Sequence, residues 1–190
     1  MRKFKISVLL KLGFYCLFLS IGLEMQARKF VHPGILHTTK SIERMRAQIA
    51  DKEYPAYGSF ELLKSHHCSQ ADYQPFGPFE IISRDGEFRH TKSKMEQDFS
   101  AVYQNALMWV LTGEKTHAEK SLELLLGYAG TLKRIPETND APLLVGLEGL
   151  KIIYATEILR HTYKKMTVVQ FNEISRMIRE VFLPVMENFY

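Results

Sequence analysis

Residues 83–94 read SRDGEFRHTKSK, which sets Arg84, Arg89, His90, Lys92 and Lys94 around only Asp85 and Glu87. Cations grouped in this way bind anions through charge-assisted hydrogen bonds. The run crosses from a loop broken by Pro75, Gly77, Pro78 and Gly86 into a helix predicted to begin near Lys92. Lys92 and Lys94 then fall in a first helical turn. Cations there oppose the helix macrodipole, at a cost of a few tenths of a kcal/mol or more. That penalty suits an anion site, because helix N-termini already attract anions. The plainer alternative is a solvated surface loop.

A second polar stretch, PETNDAP (136–142), offers Asn139 and Asp140. Either side chain suits the cap of the helix that Pro142 opens, and ligand contact is compatible with that role. VGLEG (145–149) puts Gly146 and Gly149 inside a helix, where each glycine costs up to about 1 kcal/mol relative to alanine. Close helix packing is the expected reason. Glu148 between them is a polar candidate in an apolar run.

His32 and His37 flank a Pro-Gly turn in HPGILH, and His66, His67 and Cys68 are adjacent. Neither spacing matches a zinc motif, so no metal is expected. There is no glycine-rich phosphate loop, no G-x-S-x-G and no H-E-x-x-H, and no cofactor is expected. Trp109 and the tyrosines are expected in the core rather than stacked on sugar rings. The residues by themselves compose a mildly basic rim and no complete catalytic constellation.

The elements that must position this rim are helices. HTTKSIERMRAQIADK opens with the cap candidates Thr38 and Thr39 and repeats Ile42, Met45 and Ile49. Pro55 suits the first turn of the next helix. FEIIS (79–83) has strand character but no strand to pair with. From about Lys92 to Leu111, Met95, Phe99, Val102, Tyr103, Ala106 and Val110 share one face, and Gly113 closes the helix. The next helix carries Ala118, Leu122, Leu125, Leu126 and Ala129. The helix APLLVGLEGLKIIYATEILRHTY is apolar around much of its circumference and is expected to be heavily buried. Thr167 is expected to cap a last helix with Phe171, Ile174, Ile178, Val181 and Phe182 on its face, which Pro184 should kink or end. These four long helices compose two hairpins, with an exposed loop at 133–140. The tight turns fall at one end and the longer loops, 66–91 and 133–140, at the other.

The 190 residues, 46% hydrophobic and 24% charged, suit one globular domain. MRKFK followed by ISVLLKLGFYCLFLSIGL and a small residue at Ala27 reads as a secretory signal peptide over residues 1–27. Lys11 leaves too short an apolar run for a membrane span of about 20 residues. No stable span is therefore expected after cleavage. Residues 1–27 hold four cations and Glu24, a net of +3, so removing them lowers the chain's +4 to +1. Such a charge makes no case for nucleic-acid binding. With Cys16 removed, Cys68 has no partner for an intramolecular disulfide, and the core must hold the fold.

Several ordered stretches carry a resemblance. They are FVHPGILHT with IERMR, YPAYGSFELL, FEIISRDG, ALMWVLTGE, TLKRIPETNDAPLLVGLEG and VFLPVMENFY. From about Phe30 to Tyr190 this order resembles the N-terminal part of exported bacterial alginate lyase-like proteins. Those are helical-toroid polysaccharide lyases that act on uronate polymers. The resemblance implies an all-α fold, with helical hairpins forming part of an incomplete (α/α) toroid over residues 28–190. It implies a periplasmic or secreted protein and β-elimination on an alginate- or glucuronan-like chain. In that reaction a donor neutralises the C6 carboxylate, a base takes the C5 proton and an acid protonates the leaving oxygen. The α-proton is nearly inert until that charge is neutralised.

Arg84, Asn139 and Asp140 lie in the matching motifs and on the expected rim, so they are the candidates for contact with an acidic polysaccharide. The family's Asn-Trp motif and its histidine come after the segment that matches FLPVMENFY, and no residue here takes the base or acid role. By that comparison the chain is expected to be the first portion of a longer lyase, inactive alone. The alternative is a non-enzymatic helical-hairpin scaffold binding a protein or glycan, since ALMWVLTGEKTHAEKSLELL has a tetratricopeptide flavour. Against it, no 34-residue period is visible.

Overall fold

The computed structural model describes residues 30–187; the expected signal peptide at 1–27 and the terminal Phe189 and Tyr190 lie outside the described residues. The described chain is mostly helical and has no strand among the described residues. Helix α1 (Thr39–Ala50) starts where Thr38 Oγ1 accepts the Ser41 amide at 3.1 Å. Helix α2 (Ala56–Ser65) follows Pro55. Helix α3 (Lys92–Thr112) ends at Gly113, whose φ of 79° lets its amide reach the Trp109 carbonyl at 2.8 Å. Helix α4 (Lys115–Thr131) returns antiparallel to it.

A four-residue α5 (Ala141–Leu144) runs through a π turn (Val145–Gly149) into α6 (Leu150–Thr162). Helix α7 (Val168–Met177) opens with a reciprocal capping box between Thr167 and Gln170. It continues through a second π turn (Ile178–Phe182) into α8 (Leu183–Glu187).

Helix α3 is the centre of the packing. It lies against α4 on one side and α6 on the other, while α4 packs against α7. The α3–α4 and α6–α7 hairpins are thus stacked side by side. Met95, Phe99, Val102, Ala106 and Val110 of α3 form the core with Leu125, Tyr128, Ile152, Ile158, Leu159 and Ile174. Trp109 is part of this packing. Its indole N–H donates to Thr162 Oγ1 at 2.9 Å and its ring meets Tyr163 edge-on at 5.6 Å. Among the described residues no helix is long and apolar enough to cross a membrane.

Four details depart from the sequence expectations. Ile81 of FEIIS does find a partner, forming an isolated parallel bridge with Arg134. Pro184 does not end the last helix but lies within α8, with only Leu183 between it and the second π turn. The π turn immediately before it widens the helix where the proline ring would otherwise meet the preceding turn. Helix α6 and its approach are less buried than their composition suggests: Leu143, Leu147 and Leu150, spaced four and three residues apart, form an exposed stripe. Close packing explains only one of the two glycines. A Cβ on Gly149 would lie 3.1 Å from Phe182 Cδ1, whereas one on Gly146 would meet nothing within 4 Å.

Candidate functional site

The long loops do gather at one end. The Lys133 amide donates to the Glu80 carbonyl at 2.8 Å and the Ile82 amide to the Arg134 carbonyl at 3.3 Å. The exposed side chains of Lys133 and Glu80 also pair at 2.6 Å. Further along, the Asp140 amide donates to Asp85 Oδ2 at 3.4 Å, and the Arg134 guanidinium lies over the Phe88 ring at 6.0 Å. The basic stretch 83–94 and the loop 133–140 are therefore one continuous surface.

Beside this seam opens a cleft of about 500 Å³. Lys133, Arg134, Glu137, Thr138 and Asn139 line one wall, and Glu180, Val181, Pro184 and Val185 line the other. Of the three residues singled out in sequence, Asn139 is exposed and lines this cleft. Asp140 is half-buried and N-terminal to α5, and its side chain makes no capping hydrogen bond. Arg84 sits on the α3 side of the seam. Its side chain is only 14% exposed and its Nη1 donates to Glu96 at 2.5 Å, while its Nε is buried without a hydrogen-bond partner. Arg84, a candidate for polysaccharide contact in the sequence, is held in a partly buried ion pair. The loop at 83–85 is pinned to the residue before α3 through Ser83 and Thr91, which brings Arg84 within reach of Glu96.

Near this pair lies Glu148, in the first π turn. It is buried and accepts a 2.7 Å hydrogen bond from Lys151 Nζ, which also donates to Ser100 Oγ at 3.0 Å. Burial raises the Glu148 pKa, and the Lys151 ammonium only partly offsets it. Arg84–Glu96 and Glu148–Lys151 are thus two neighbouring ion pairs beside the rim, with their carboxylates close enough to repel. The basic pair Lys133–Arg134 escaped sequence reasoning as a site. Its signal was the two adjacent cations that open the loop KRIPETND.

Under the rim lies Asp98, fully buried on α3. Its Oδ1 accepts from the Tyr73 hydroxyl at 2.8 Å and the Phe76 amide at 3.0 Å. Its Oδ2 accepts from the Gly77 amide at 2.8 Å and the Tyr128 hydroxyl at 2.7 Å. Burial together with these bonds drives the Tyr73 and Tyr128 pKa values upward, so both remain donors. A Cβ on Gly77 would sit 2.5 Å from the Tyr128 hydroxyl, so only glycine fits there. This carboxylate positions the loop that leads to the rim and is itself sealed from solvent.

Two clusters of ligand-type side chains lie apart from the cleft. In the first, His66, His67 and Cys68 are successive residues. His66 Nδ1 accepts the Cys68 amide at 3.2 Å, the buried Cys68 thiol reaches the Gln97 carbonyl at 3.6 Å, and burial raises the thiol's pKa. The second joins His32 to Glu157 and His161 on α6. His37 is not part of it: its Nε2 lies 2.5 Å from the Tyr103 hydroxyl.

No family model, no curated protein and no solved structure matches this chain.

Proposed function

We propose that this chain belongs to an exported polysaccharide-lyase lineage and that the rim cleft binds a uronate polymer. The observation that carries the reading is the seam at Ile81 and Arg134. It joins two stretches that resemble the lyases, FEIISRDG and TLKRIPETND, into one surface beside a polar cleft. Lys133 and Arg134 supply cations for uronate carboxylates, and Asn139 supplies an amide for sugar hydroxyls. Stacked hairpins with an exposed stripe at Leu143, Leu147 and Leu150 support the toroid expectation, because each hairpin of a toroid seats the next. The described cleft lining holds no tyrosine or histidine, so binding rather than the elimination step is assigned to it.

Affinity electrophoresis in gels containing alginate or glucuronan tests this assignment. Retardation by either polymer, weakened in Arg134→Ala and Asn139→Ala, is the expected result. Unretarded migration in both gels would remove the reading and favour the scaffold alternative, for which the leucine stripe is the surface to test. Unsaturated uronate products, followed by ultraviolet absorbance, report whether the chain also cleaves.

A further inference from the structure

Glu157 and His161 stand one turn apart on α6, the i, i+4 spacing that points two side chains the same way. His32 comes to them from 125 residues away in sequence. Its Nδ1 lies 2.7 Å from Glu157 Oε1, and the same oxygen accepts the Gly34 amide at 2.8 Å. Glu157 Oε2 lies 3.5 Å from His161 Nε2. The two imidazoles stack at 4.1 Å with an angle of 11° between their planes. All three ligand atoms lie within 4.8 Å of one another.

We propose that His32, Glu157 and His161 form a binding site for a zinc-class divalent cation. Two imidazole nitrogens and one carboxylate oxygen are a donor set that zinc favours. Zinc bonds of about 2.0–2.1 Å in a tetrahedron space the ligand atoms roughly 3.3 Å apart. The observed separations of 2.7 and 3.5 Å run to different carboxylate oxygens, so the stacked imidazoles turn out of their stack to bring both nitrogens and one oxygen onto an ion. Side-chain exposures of 43% for His32, 17% for Glu157 and 29% for His161 leave a path in from solvent. Helix α6 sets Glu157 and His161 one turn apart, and the Gly34 amide holds one carboxylate oxygen.

The alternative cluster at His66, His67 and Cys68 is less suited. Its His66 Nδ1 is committed to a backbone amide, and its thiol is buried and held protonated. A cation held by His32, Glu157 and His161 clips the segment around residues 32–34 to α6. It acts independently of the polysaccharide cleft.

The test uses the full chain without an affinity tag, stripped with a chelator and then titrated with zinc chloride by calorimetry. One zinc per chain is expected, with a rise in Tm on adding zinc. His161→Asn and Glu157→Gln should each weaken binding at least about 10–100-fold, the loss that even outer-shell partners cause. Circular dichroism and the zinc-free Tm show whether each variant is folded. His161→Asn, partly exposed, is the variant expected to keep the native Tm without zinc and lose the zinc-induced shift. Cys68→Ser should bind as the parent does. Absence of zinc binding by the parent chain overturns the proposal. So does unchanged binding in folded His161→Asn, or loss of binding in folded Cys68→Ser.

Discussion

Arg84 and Glu96 face each other at 2.5 Å across the start of α3, one side chain 14% and the other 27% exposed. Removing either partner leaves the other charge half out of water. Arg84→Ala is therefore expected to cost about 1–3 kcal/mol, between the values for exposed and buried pairs. Urea denaturation monitored by circular dichroism measures it. A change within a few tenths of a kcal/mol would return Arg84 to the class of surface residues free to serve a ligand.

The Asp98 carboxylate holds four donors in a dry site, so its replacement should be more damaging than any rim substitution. Asp98→Ala strands two tyrosine hydroxyls and two backbone amides and is expected to lose at least about 3 kcal/mol. Tyr128→Phe removes one bond to a charged group and should lose about 1.5–3 kcal/mol. Equal denaturation midpoints for parent and Tyr128→Phe would contradict this account of the loop's anchorage.

Acid should weaken the fold through His37 and His117. Burial lowers both pKa values below the ordinary 6.5, with Glu114 opposing the shift at His117. Below that value the unfolded chain binds more protons at these positions than the native one. Their contribution to stability is thus complete above pH 6.5 and is lost as pH falls through the folded values. The expected observation is a Tm that drops from about pH 7.5 to about pH 5.5, with a shallower slope in His117→Gln. An unchanged slope in that variant would remove His117 from the explanation.

The two glycines of the first π turn should respond in opposite ways to alanine. Gly146 has open space, so Gly146→Ala is expected to stabilise by up to about 1 kcal/mol through helix propensity. A Cβ on Gly149 would lie 3.1 Å from the buried Phe182 ring, so Gly149→Ala should destabilise as the ring is forced to move. Thermal melts of the two variants side by side check the difference in sign.

Much of this architecture was legible in the residues. The apolar period places α3 and α4, and caps at Thr38, Gly113 and Thr167 mark helix ends, because those signals are local and act within a turn or two of chain. The gathering of the long loops followed from helix lengths and short turns. Tertiary structure alone decided what crosses between elements. Ile81 has no strand neighbour in sequence and pairs with Arg134 only after two loops meet. Nothing in the sequence marks Asp98 as buried; the loop 73–77 folds over it with three donors and Tyr128 of α4 brings a fourth. Arg84 looks like a loop cation until Glu96 turns toward it. His32 pairs in sequence with His37, yet in space it joins Glu157 and His161, because helix packing rather than chain proximity sets which side chains share a site.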